Sequence, residues 1–435
     1  MNDRQDALVD DEAMYRKLTR RLLPSLIVLY VFAYCDRVNI GFAWLTMSKD
    51  LGMSPAVFAT GVAIFFVGFT LFELPSNLIL AKVGARRWIA RIAITWGLVS
   101  AAMAFVSTPM QFYVLRFLLG VAEAGFFPGV IYYLSRWYPQ QMRARAFSLF
   151  LLAVPICSAI VSPLSGALLT LDGAGGLRGW QWLFIVQALP SIAMGVYVLL
   201  NLPELSTANK FLSPAEIEWV TVHAHSGPAH SRTEWLDAIF NRTTVFLTVL
   251  YFNITIGLHV TTFWLPRIIA GTGRGYVESG FLAAIPFAVA AVAMVTLAKA
   301  SDRSGDRRGF MIALLVVSAV SLVGVTSLDA IVPKMIALTA AVCAMLSSLG
   351  IFWALASTIA RGTAAAAATA VIASLGNLSG FVGPHLMQLF SSVTANQTTG
   401  LLCIAAFPVL GILMLMMWRP SASNGAAVQT KVEHA

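Results

Sequence analysis

Charge is what this chain has least of. Only 11% of its 435 residues are Asp, Glu, Lys or Arg, against about 25% in an average soluble domain, while 58% are hydrophobic. That shortage excludes a water-soluble globular protein and a disordered one alike. Cysteine is scarce too. Cys35, Cys157, Cys343 and Cys403 all lie in apolar stretches without C-x-x-C spacing, so neither a disulfide framework nor a zinc site is indicated. A P-loop, an H-E-x-x-H pair and a Ser/His/Asp set are missing as well, which argues against a membrane-bound enzyme and predicts no metal and no cofactor.

What is present is apolar runs of membrane-crossing length. Twelve are readable, at about 22–48, 56–81, 88–107, 111–134, 146–171, 181–202, 243–269, 279–300, 310–328, 334–358, 364–390 and 400–418. The first is too long for a signal-peptide core and is read as a retained span. The net charge of +9 is a matter of topology. With the N-terminus inside, twenty-two Lys and Arg fall on the inner side, five on the outer side and two within spans. This bias puts both termini and the middle loop in the cytoplasm, and it leaves no nucleic-acid footprint to explain. The parts are then a cytoplasmic segment (1–21), a six-span half (22–202), a cytoplasmic linker (203–242), a second six-span half (243–418) and a cytoplasmic tail (419–435).

The halves repeat. "KVGARR" (82–87) and "RSGDRR" (303–308) each follow the second span of a half, the mark of a duplicated architecture. On these turns the sequence resembles the major facilitator superfamily, whose motif G-x-x-x-D-R-x-G-R-R is matched in the second half by Asp302, Arg303, Gly305, Arg307 and Arg308. In the first half Ala81 stands at the acidic position, leaving Lys82, Gly84, Arg86 and Arg87. The resemblance implies an all-α integral membrane fold of twelve transmembrane helices in two pseudo-symmetric six-helix halves. It also implies a gating role for these turns, through Lys82, Arg86, Arg87, Asp302, Arg303 and Arg307, and for Glu73; the first-half turn lacks the acid that this role uses. Physically, arginines at helix ends bond exposed carbonyls and complement the helix dipole; simple anchoring at the membrane surface explains them equally well.

In the linker, "LSPAEIEWV" (212–220) offers Ser213 as N-cap, Pro214 at N1 and Glu216 at N3, which predicts a short capped surface helix. His223, His225 and His230 follow without neighbouring acids or cysteines, a poor metal set.

Charges inside spans cost on the order of 2.5 to 3.5 kcal/mol each and tend to mark function. Five qualify, all in the first half: Asp36 and Arg37 in the first span, Glu73 near the inner end of the second, and Arg116 and Glu123 in the fourth. Unpaired, they would cost roughly 10 kcal/mol, comparable with the stability of a whole domain. Residues 116 and 123 share a helix face about 10 Å apart along the axis, and Asp36, Arg37 and Glu123 share the midplane. Tyr34, Arg37, Gly41 and Trp44 fall on one stripe expected to line a cavity, with Asp36 rotated about 100° away. A guanidinium keeps its proton and matches a carboxylate or phosphate fork, so Arg37 and Arg116 suit an anionic substrate. A carboxyl group in a low-dielectric site can exchange protons near neutral pH, making Asp36 and Glu123 the expected proton carriers. A set of purely structural salt bridges is the alternative.

"YCDRVNIGFA" (34–43), "LFELPSNL" (71–78), "GARRWIARI" (84–92), "RFLLGVAEAGFFPG" (116–129) and "GNLSGFVGP" (376–384) together resemble the anion:cation symporter family of that superfamily. The resemblance implies organic-anion binding and proton coupling through Asp36, Arg37, Arg116 and Glu123, with Asn377 and Tyr34 as further substrate contacts. Its nearest branches carry tartrate, phthalate, hydroxyphenylacetate and related carboxylates. His259, Trp264, Asn253 and Trp353 offer the second half a polar, aromatic cavity wall; hydrogen-bonded packing explains His259 as readily, and His385 is read as structural. The expectation is a monomeric inner-membrane symporter driven by the proton gradient, moving a small mono- or dicarboxylate by alternating access. The rivals are an organophosphate exchanger and a drug:proton antiporter. The latter is disfavoured because Ser158–Ala167 keeps only Pro163 and Gly166 of the efflux motif G-x-x-x-G-P-x-x-G-G.

Overall fold

A computed structural model describes residues 10–223, 241–359, 365–394 and 400–418. Its α-helices, in chain order, are α1 (Asp11–Asp50), α2 (Pro55–Val83), α3 (Ala85–Ala102), α4 (Pro109–Glu123), α5 (Phe126–Ser135), α6 (Gln140–Leu151), α7 (Ala153–Leu168) and α8 (Gly179–Asn201), then α9 (Pro214–His223). The second half holds α10 (Arg242–Ala270), α11 (Tyr276–Ser304), α12 (Arg307–Ser327), α13 (Ile331–Ile359), α14 (Ala365–Gly376), α15 (Ser379–Thr394) and α16 (Gly400–Met417). Among the described residues eleven segments are long and apolar enough to cross a membrane, against the twelve expected. The one not counted is the eleventh, whose described residues form α14 and α15, separated at Asn377 and Leu378.

Two other spans are interrupted for readable reasons. The fourth stops after Glu123 because Gly125 takes φ 83°, a left-handed conformation open to glycine. The fifth breaks at Leu152 because Pro155 has no N–H and crowds the carbonyl four residues back, that of Leu151.

Within the first half α3 packs along α8 and α2 along α4; within the second, α12 packs along α13 and α16. The halves meet where α7 lies along α11, α2 along α15 and α1 along α10. Small residues permit these crossings: a Cβ on Gly166 would lie 2.4 Å from the Tyr276 carbonyl oxygen, and one on Gly280 would lie 2.7 Å from that of Ser162. Gly41 is held as closely, 2.7 Å from the Phe263 carbonyl oxygen. These contacts seal one end of the bundle, the end opposite α9.

The linker helix has the reciprocal cap expected of it: the Ser213 N–H donates to Glu216 at 2.7 Å and the Glu216 N–H donates to the Ser213 hydroxyl at 3.3 Å. It docks on the start of α1, where Lys17 pairs with Glu216 at 2.7 Å and the Trp219 indole donates to Asp11 at 3.0 Å. Partial burial works against the Glu216 charge, but Lys17 and the Ser213 N–H outweigh it and hold the carboxyl below its usual range. Such a group stabilises the docked linker above the unfolded value of about 4.3 and loses that contribution as pH falls through its folded value. The pair is part exposed, so its worth is at most about 1 kcal/mol. Glu216→Gln is accordingly expected to speed amide hydrogen exchange across Pro214–His223 at pH 7; unchanged exchange would show that the pair does not hold the helix. His223 bonds the Trp219 carbonyl oxygen at 2.9 Å, whereas His225 and His230 lie outside the described residues.

Candidate functional site

The Asp36–Arg37 pair divides between two surfaces of α1. Arg37 forms an ion pair with Glu123, and both side chains are largely buried. The helix break puts Glu123 on the last residue of α4, so the cation also sits at the negative end of that helix dipole. Arg37 lies 5.8, 5.5 and 5.2 Å from the ring centres of Tyr34, Phe65 and Phe69, within cation–π range.

Asp36 turns the other way. It accepts from Asn39 at 3.1 Å and from Ser100 of α3, and its Oδ2 is buried with no hydrogen-bond partner among the described residues. Arg116 is also behind this surface. Its Nε donates to the Gly61 carbonyl oxygen at 3.1 Å, its guanidinium lies 5.0 Å from the Phe65 ring, and its Nη2 is buried and unpartnered. Phe65 is therefore a ring neighbour of both guanidiniums. The expected split site becomes a cavity face carrying Tyr34, Arg37 and Glu123, and a rear face carrying Asp36 and Arg116.

A cavity of about 70 Å³ lies between the halves, bounded on the first side by Tyr34, Arg37, Phe69, Glu73 and Glu123. On the second side stand Tyr251, Thr255, His259, Trp353 and Asn377. Asn377 sits at the break between α14 and α15, which two tight contacts fix: a Cβ on Gly376 would lie 2.1 Å from the Tyr251 ring, and one on Gly380 would lie 2.4 Å from that of Phe66. Ser379, first residue of α15, gathers the Thr255 hydroxyl at 2.8 Å and His259 Nδ1 at 3.1 Å. Across the halves, the Ser374 hydroxyl donates to the Glu73 carboxylate.

Several expected wall residues stand elsewhere. Trp264 is not in the cavity; it packs edge-on against Phe58 at 5.1 Å in the sealed end. Gly41 and Trp44 belong to the same seal, Trp44 lying 4.9 Å from Phe58, so the predicted stripe lines the cavity only at Tyr34 and Arg37. Asn253 faces Met414 and donates to the Val249 carbonyl oxygen at 2.8 Å. His385 bonds the Phe381 carbonyl oxygen at 2.9 Å, within its own helix.

The basic turns make contacts inside their own halves. Arg307 pairs with Asp302 at 3.1 Å and donates to the Ala354 carbonyl oxygen at 3.1 Å, while Arg308 donates to that of Met416 at 3.0 Å. In the first half, where Ala81 replaces the acid, Arg86 reaches Glu204 at 3.4 Å. Lys82, Arg87 and Arg303 are exposed.

Sequence reasoning missed much of the lining: Tyr30, Phe69, Phe126, Phe127 and Tyr251 bring rings to the cavity, and Ser374 and Ser379 bring hydroxyls to Glu73 and His259. One signal was readable. Phe65, Phe69 and Glu73 recur every four residues and must share a face of α2.

Two helical halves closing on a cavity between them, with charged groups facing it and broken helices beside it, define a multi-pass membrane transport carrier. The Major Facilitator Superfamily description matches residues 26–384, and the chain belongs to that superfamily, whose members are transporters and not enzymes. It is 40% identical over 437 residues to a putative tartrate transporter of Agrobacterium vitis, covering 99% of this chain and 97% of that one. It is 36% identical to a quinolone resistance transporter of Acinetobacter baumannii, covering 93% and 94%. Among solved structures, a bacterial homolog of the human lysosomal transporter Spinster, in an inward-facing and occupied conformation, superposes with a TM-score of 0.74. That match has 15% identity over 94% of this chain and 99% of the other, a likeness of fold.

Proposed function

We propose that this chain is a proton-coupled symporter that brings a small organic anion, a mono- or dicarboxylate, into the cytoplasm by alternating access. The observation that carries the reading is the Arg37–Glu123 ion pair facing the cavity between the halves. With Glu123 ionised, its carboxylate occupies the guanidinium. A proton arriving on Glu123 neutralises it and frees Arg37 to take the substrate carboxylate as a two-pronged, charge-assisted partner. Substrate and proton are thereby loaded together, and release of both on the other side restores the pair. Asp36 is the second proton carrier, on the rear face. The proton gradient supplies the energy, and no cofactor enters the cycle. The distribution of Lys and Arg supports an α9 end in the cytoplasm, with the sealed end as the outer one. The relationship to a putative tartrate transporter supports a carboxylate cargo.

Efflux by proton antiport is the second reading, favoured by the relative in Acinetobacter baumannii. One measurement separates them. In proteoliposomes, an inward proton gradient is expected to drive accumulation of a labelled carboxylate, and collapsing the gradient should abolish it. Accumulation driven only by an outward gradient would establish antiport, and no movement of any mono- or dicarboxylate would defeat the proposal.

A further inference from the structure

Resting on the reading of Arg37 as the anion hook, we infer that the substrate is a planar aromatic monocarboxylate carrying one hydrogen-bond donor about a ring's length from its carboxylate, and that Glu73 recognises the donor. Three observations converge on this. Arg37 is the one cation among the described residues that line the cavity, so a single carboxylate finds a partner; a second would face the carboxyl group of Glu73. Rings wall the space on both sides, Tyr34 and Phe69 from the first half and Tyr251 and Trp353 from the second. A flat ring slides between such walls with little loss of its own hydration, whereas an aliphatic hydroxy acid would have to replace a water partner at every polar group.

The spacing is the third. Phe69 lies beneath the Arg37 guanidinium at 5.2 Å, and Glu73 is four residues further along the same helix, about one turn or ~5.4 Å. A carboxylate on Arg37 with its ring over Phe69 therefore aims its far substituent at Glu73. One carboxylate oxygen of Glu73, whose side chain lines the cavity, accepts from Ser374; the other has no hydrogen-bond donor among the described residues. A ring hydroxyl, ring amine or protonated ring nitrogen satisfies it. The cavity of about 70 Å³ is too small for such a ring as it stands, so the halves must part to admit it, and a substrate bridging Arg37 and Glu73 meets the carboxylate that Ser374 bonds across them.

The test is competition for uptake in proteoliposomes, with thermal shifts on the purified full-length protein, comparing benzoate, 4-hydroxybenzoate, terephthalate and tartrate. 4-Hydroxybenzoate is expected to bind about tenfold or more tightly than benzoate, the worth of one charge-assisted hydrogen bond, with terephthalate and tartrate weaker than both. Glu73→Leu should collapse the preference for 4-hydroxybenzoate to near unity, while Glu73→Gln, which keeps the shape and an acceptor oxygen, should retain part of it. Tartrate binding as tightly as 4-hydroxybenzoate would overturn this inference and leave the carboxylate symporter standing. A preference that survives Glu73→Leu would overturn the role of Glu73. Silence towards every carboxylate, in binding and in uptake, would remove the proposed function as well.

Discussion

Glu123→Gln is expected to abolish proton-driven accumulation of substrate while leaving downhill exchange within a few-fold of wild type, and Arg37→Ala is expected to abolish both. The amide keeps the size and a hydrogen-bonding oxygen for Arg37 but carries no titratable proton, so the cavity is locked in its loaded-proton form. Removing the guanidinium takes away the anion's charge-assisted partner, about 1.5 to 3 kcal/mol or roughly 10- to 100-fold in affinity. It also leaves Glu123 buried without its cation, a loss of about 3 to 5 kcal/mol for a buried pair broken on one side. Uptake against a gradient and counterflow of labelled substrate read the two functions separately. Accumulation that survives in Glu123→Gln would place the coupling proton elsewhere, with Asp36 the next residue to test.

Gly166→Leu is expected to lower uptake by about 100-fold or more without unfolding either half. The substituted Cβ would meet the Tyr276 carbonyl oxygen at 2.4 Å, a backbone atom that cannot rotate aside, so α7 and α11 are held apart and the sealed end cannot form. Overpacking of this kind costs about 1 to 3 kcal/mol or more where the neighbours cannot yield. The defect is one of state and not of binding. A cysteine placed at Phe58, buried in wild type against Trp44 and Trp264, should react faster with a membrane-impermeant thiol reagent in the Gly166→Leu background than in the parent. Wild-type uptake by Gly166→Leu would show that this crossing does not limit the cycle.

The contrast between Arg37 and Arg116 shows what sequence could and could not supply. Cost alone singles out both, because a charge in a span needs a reason, and helix geometry places Arg37 and Glu123 at one depth. It also turns Asp36 away from Arg37, as found. Periodicity reports only the face of one helix. It does not say which neighbour that face meets, so Arg116 reads as a cavity residue until Gly61 and Phe65 are seen to cover it. Trp264 fails for the same reason, since its depth decides between cavity and seal and depth depends on where α10 meets α1. The break at Asn377 is hidden because an apolar run from 364 to 390 is compatible with one continuous helix. Only Tyr251 and Phe66, pressed on Gly376 and Gly380, reveal why the backbone yields there.

The separation of Arg37 from Glu123 along the chain, 86 residues, also bears on biogenesis. At about 5 to 20 residues per second of synthesis, the first span waits roughly 4 to 17 seconds for the carboxylate it pairs with in the finished bundle. During that interval the nearest opposite charge is the adjacent Asp36, whose eventual hydroxyl partner Ser100 has not been made for most of the wait. Asp36 and Arg37 point about 100° apart on the helix, so until the third and fourth spans arrive neither charge has the partner it holds in the finished bundle, Ser100 for the one and Glu123 for the other.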